Sequence, residues 1–66
     1  MKIILNGKEH ALEKPLSVEE LLASIHLAGK PVVVELNQKA LFPREYSATM
    51  LREGDRVEIV TIAAGG

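Results

Sequence analysis

Only one stretch of this 66-residue chain repeats at helical period. Val18, Leu21, Leu22 and Ile25 fall at i, i+3, i+4 and i+7, which stacks them on a single face. The other apolar residues alternate with polar ones or form short β-branched blocks, the pattern of strands. A lone helix with one apolar stripe has nothing to bury it except a sheet. The chain is therefore expected to be a single α+β domain over residues 1–66. Its mixed sheet of four to five strands carries one main helix packed on one face.

The helix has a marked start. Ser17 is a candidate N-cap and Glu20 stands three residues on, the spacing of a capping box. Leu16 before the cap and Leu21 after it fit a hydrophobic staple, and Glu19 and Glu20 place negative charge where the helix dipole favours it. Gly29 and Pro31 are expected to end the helix. Before it, Met1, Ile3 and Leu5 alternate at strand period. Asn6-Gly7 then predicts a tight hairpin turn into an edge strand from Lys8 to about Glu13. After it come a β-branched strand over residues 32–36, a turn at Asn37-Gln38, and a short strand from Lys39 to Leu41. A single helical turn follows at Pro43-Arg44-Glu45-Tyr46, then a turn over residues 52–55 and a last strand over residues 56–62.

At 7.2 kDa the chain has little room for a deep catalytic cleft, and its core is near the minimum for independent folding. A net charge of −1, from 8 basic and 9 acidic residues, gives no long-range attraction to nucleic acid or an anionic membrane. No apolar run reaches membrane-spanning length, and the N-terminus lacks the pattern of a signal peptide. Cysteine is absent, so no disulfide, thiolate metal site or thiol chemistry is available, and a cytoplasmic location is expected.

Alternation divides the strands into two faces. Ile3, Leu5, Val32, Val34, Leu36, Val57 and Ile59 are expected inside, under the helix. Lys2, Ile4, Val33, Glu35, Glu58, Val60 and Ile62 then face the other way, with no second helix to cover them. Ile4, Val33, Val60 and Ile62 are the candidate partner-docking surface.

No side chain is assigned a catalytic or metal-binding role. His10 and His26 are sixteen residues apart with no ligand spacing around them, and are expected to face solvent. Glu19 and Glu20 are adjacent on the helix and do not face each other. Phe42 and Tyr46 are expected to pack over an end of the core, and Arg44 to be solvated.

The chain stops at Gly65-Gly66, directly after the last strand. Such a pair arises by chance in roughly one chain in two hundred. Glycine lacks Cβ and lets backbone thread a narrow channel. Ala63 and Ala64 keep the segment thin, so residues 63–66 are expected to be a flexible tail. No Gly-rich phosphate loop or basic cluster is present to hold ATP.

These features together resemble the ubiquitin-like β-grasp sulfur carriers of thiamin biosynthesis, the ThiS family. The resemblance covers the whole chain. It rests on residues 1–7 with their Asn-Gly turn, residues 17–22, Val34-Glu35-Leu36-Asn37, Pro43-Arg44, residues 54–60 and Gly65-Gly66. Gln38 departs from the family, which often has Gly there. The resemblance implies a protein cosubstrate rather than an enzyme. An E1-like adenylyltransferase, using ATP and Mg that this chain does not bind, would adenylate the carboxyl group of Gly66. A sulfur-donor system would convert it to a thiocarboxylate, and thiazole synthase would take the sulfur. Gly65, Ala64 and Ala63 would thread the partner's active site. A carrier of the molybdopterin-synthase type or a ubiquitin-like protein modifier remains open, and a regulatory or RNA-contacting β-grasp module fits the charge less well.

Overall fold

Asn6 and Gly7 both take positive φ, 50° and 82°, and reverse the chain in the two-residue turn that an Asn-Gly pair favours. They join β1 (Lys2–Leu5) to β2 (Lys8–Ala11) in antiparallel register, with Ile3 opposite His10 and Ile4 opposite Glu9. The structure, a computed structural model, describes residues 1–62. Beyond the hairpin it contains α1 (Val18–Ser24), β3 (Val32–Leu36), β4 (Lys39–Leu41), a 3-10 helix over Pro43–Ala48, and β5 (Arg56–Thr61).

The five strands form one sheet in the order β2-β1-β5-β3-β4. The last strand in sequence is the central strand in space. It pairs parallel with β1 and antiparallel with β3, so the sheet is mixed as expected. The core is one cluster on one face: Ile3, Val34, Val57 and Ile59 from the sheet meet Val18, Leu21 and Leu22 from α1. Leu5, Val32 and Leu36 join its border, partly buried. Leu12 and Leu51 complete it at 5% and 2% exposure. Leu51 lies in an irregular segment, where no periodicity marks it as buried. A backbone bond from its N–H to the Leu16 carbonyl, 2.8 Å, holds it in place.

The capping box forms in full. The Ser17 hydroxyl accepts from the Glu20 N–H at 3.0 Å, and the Glu20 carboxylate accepts from the Ser17 N–H at 2.9 Å. That bond from the Ser17 N–H is the main reason the Glu20 pKa is lowered from its ordinary 4.5.

The helix end differs from expectation. It stops at Ser24, with Ile25 as C-cap, well before Gly29. His26 takes the left-handed conformation, φ 64°, and donates its backbone N–H to Ala23, while the Leu27 N–H reaches the Leu22 carbonyl at 2.8 Å. This is a Schellman closure with histidine where glycine is usual. Leu27 is thereby turned back to pack against the core.

Two other expectations need correction. Phe42 does not pack over the core; it is 58% exposed, and the Arg44 guanidinium lies over its ring, 4.6 Å from the centroid. Arg44 is therefore stacked rather than simply solvated. Tyr46 does pack against the core, partly buried.

Candidate functional site

β5 is the last described strand before residues 63–66 in the sequence, so what holds β5 sets where the described chain ends. Two asparagines bracket it. β1 ends at Leu5, but the Asn6 side chain continues the ladder in place of a further strand residue. Its Oδ1 accepts from the Ile59 N–H at 2.7 Å, and its Nδ2 donates to the Ile59 carbonyl at 3.2 Å. On the other side, Asn37 Oδ1 accepts from the Arg56 N–H at 2.9 Å and its Nδ2 donates to Asp55 at 3.1 Å. Asp55 also accepts from the Arg52 N–H at 2.8 Å, closing the turn in which Gly54 takes φ 82°. Asn6, Asn37 and Asp55 thus fix where β5 begins and how it runs. The sequence reading saw only turn formers at these positions.

The last described backbone bond runs from the Ile62 N–H to the Pro31 carbonyl, 2.9 Å. Ala63, Ala64, Gly65 and Gly66, the expected tail and reacting terminus, lie outside the described residues.

The outer face near this exit is apolar. Val60 is 61% exposed, Ile62 51% and Val33 43%. The register sets Val33 directly opposite Val60, and Ile62 follows two residues on, just past the end of β5. These three of the four candidate docking residues come together. The fourth does not. Ile4 pairs with Arg56 on β5 and Glu9 on β2, and is half-buried. Arg56 is four residues from Val60, about 13 Å along the strand. Periodicity placed Ile4 on the correct face but could not say how far along the sheet it would stand.

On the other side of β3 a groove of about 550 Å³ runs between the end of α1 and the 3-10 helix, lined by Leu22, Leu27, Pro31, Val32, Pro43 and Tyr46 among others. It begins at Pro31, the residue that holds Ile62, and nothing in the sequence pattern marked it. His10 lies at the sheet edge, half-buried opposite Ile3, whereas His26 is exposed at the helix end. Among the described residues, no three His, Cys, Asp or Glu side chains are grouped as metal ligands would be. Among the described residues, no helix is long and apolar enough to cross a membrane.

Comparison with known proteins places this arrangement. The profile of the ThiS family matches residues 3–66. The chain is 36% identical over 63 residues to the sulfur carrier protein ThiS of Bacillus subtilis, covering 94% of this chain and 96% of that one. It is 37% identical over 62 residues to ThiS of Thermus thermophilus, covering 94% and 95%. A thiazole synthase of Magnetococcus marinus is 38% identical over 66 residues, all of this chain but only 20% of that protein. The chain thus spans about one fifth of the synthases it matches. In the solved structures, the crystal structure of ThiS from Geobacter metallireducens superposes with a TM-score of 0.85 at 35% identity, covering both chains fully.

Proposed function

The chain belongs to the ThiS family, and from that premise we propose that it is a sulfur carrier of thiamin biosynthesis, loaded at the carboxyl group of Gly66. The observation that carries this reading is the family match from residue 3 to residue 66, which takes in Gly65-Gly66.

The chemistry follows from the carboxyl group. At neutral pH it is ionised, with an ordinary pKa of about 3.5, and is a poor electrophile. An ATP-dependent, E1-like partner supplies ATP and Mg; the carboxylate attacks the α-phosphorus and pyrophosphate leaves. Sulfur from a donor system then displaces AMP from the acyl-adenylate. The net change is one oxygen exchanged for one sulfur. With no cysteine in the chain, a persulfide on a side chain is not open to it. The thiocarboxylate is the form of cargo that remains.

In this scheme the folded domain is a cosubstrate and a handle. Gly65, Ala64 and Ala63 keep the segment narrow enough to enter a partner's active site. Val33, Val60 and Ile62 form the docking surface beside it. The consumer is a thiazole synthase acting in the cytoplasm. Support for that partner comes from the synthases in which a matching segment is part of the same polypeptide. Holding cargo on a docked protein raises its effective concentration at the acceptor.

The test is intact-mass spectrometry after incubation with cell extract, ATP and a sulfur source. Wild type gains one sulfur for one oxygen at its last residue. Deleting Gly66 abolishes the exchange and leaves the melting temperature unchanged. Val60→Asp folds normally, because Val60 is largely exposed, but exchanges poorly. Full exchange without Gly66 would overturn the assignment, and full exchange by Val60→Asp would remove the docking surface from it.

A further inference from the structure

The ladder between β3 and β5 lays out the outer face in opposed pairs. Val33 faces Val60, and the next pair away from the exit is Glu35 facing Glu58. Directly opposite side chains in a sheet come within about 5 Å, and like charges there oppose pairing. Both carboxylates are exposed, and among the described residues neither has a cation within 4 Å, the ion pair at that distance being Lys2–Glu9. Arg56, two residues before Glu58 on the same face of β5, is the cation along the strand; the row across the ladder offers none. Ala40 is opposite Glu35 on β4, and the β1 side of Glu58 is where the chain leaves the strand at Asn6. Two like charges therefore stand face to face at the centre of the sheet, immediately beside the apolar cluster.

We propose that Glu35 and Glu58 are the charged half of the docking surface, and that they receive one basic side chain from the enzyme that adenylates the carrier, while Val33, Val60 and Ile62 take its apolar contacts. The inference rests on the carrier reading. A cation set between two carboxylates relieves their repulsion at the moment of docking, and burial at the interface strengthens the attraction. An arginine fork suits two carboxylates especially well. The adenylating enzyme is the partner with the matching field. It must hold a triphosphate, a task done with cations and Mg, and a basic side chain beside that site is the group this acidic pair would receive. The carrier's net charge of −1 gives little long-range guidance. Its orientation must come from charges placed locally, and these two are the acidic side chains that adjoin the apolar cluster on the ladder.

The test is carrier-dependent ATP–pyrophosphate exchange with the purified adenylating enzyme of the same source, at varied carrier concentration. The Glu35→Gln/Glu58→Gln double variant is expected to raise the KM for carrier about tenfold with kcat unchanged. The salt dependence of kcat/KM flattens, because the steering charges are gone. The melting temperature is equal to or above that of wild type, because the repulsion is removed. Glu13→Gln, a charge loss elsewhere on the surface, keeps the wild-type KM. A KM within about twofold of wild type for the double variant, a loss confined to kcat, or a fall in melting temperature that accounts for the weaker exchange overturns the proposal. If the double variant matches a wild type that exchanges normally, only this inference fails. If wild type itself supports no exchange, the carrier reading fails and takes this inference with it.

Discussion

Replacing Asn6 tests whether a side chain can serve as part of the sheet. Asn6→Ala removes the two bonds to Ile59, at 2.7 Å and 3.2 Å, each worth about 1 kcal/mol. It also forces alanine into φ 50°, which costs about 1 kcal/mol more. The expected loss is about 3 kcal/mol, a large fraction of the roughly 3–10 kcal/mol available to a domain of this size. Asn6→Gly loses the bonds but not the conformational freedom, so it should cost about 2 kcal/mol. The difference between the variants isolates the backbone term. Urea unfolding at neutral pH gives both values, and an unchanged slope confirms that the same surface unfolds. Hydrogen exchange at the Ile59 amide adds a local reading, since that N–H loses its acceptor in both variants. If Asn6→Gly stays within about 0.5 kcal/mol of wild type, the amide is not bridging to β5. If Asn6→Ala and Asn6→Gly coincide, the positive φ carries no cost.

Other consequences can be measured on the same protein. Gln38 and His26 hold φ of 70° and 64° without being glycine, so Gln38→Gly and His26→Gly should each stabilise by about 0.5–1 kcal/mol; thermal unfolding checks this, and a drop in stability for both would refute it. The Glu20 pKa is lowered by its bond from Ser17, so its contribution is complete above the unfolded value near 4.5 and is lost as pH falls through the lower folded value. The stability difference between wild type and Glu20→Gln should hold steady above pH 4.5 and move against wild type below it; parallel pH profiles down to the acid limit would contradict the assignment. Leu51→Ala should cost about 2–5 kcal/mol despite the irregular backbone around it, and urea unfolding that shows under about 1 kcal/mol would mean the site collapses without a cavity.

Which side chains from distant strands stand together is a matter of register, and register is where local reading stops. The capping box, the α1 stripe and the Asn6-Gly7 turn are interactions among residues at most seven apart. Their chemistry is complete in the sequence, and the structure reproduces them. Alternation likewise assigned Ile3, Val34, Val57 and Ile59 to the core and Val33, Val60 and Ile62 to the opposite face. Asn6 and Asn37 were legible as turn residues, but their bonds to Ile59 and Arg56 join segments 53 and 19 residues apart. The helix end went to His26 rather than Gly29 because Leu27 gains burial by turning back early, and that gain exists only once the sheet is underneath.

The sequence by itself determined the elements, the face each strand buries, the absence of cysteine and the presence of the Gly65-Gly66 pair. Those depend on residue types and on spacings within a few positions. Tertiary structure alone decided that β5 is central, that Ile4 stands apart from Val33, Val60 and Ile62, and that Glu35 meets Glu58. A strand's period fixes which way a side chain points. Its neighbours are fixed by how strands far apart in the chain align when one helix and one sheet close over a shared core.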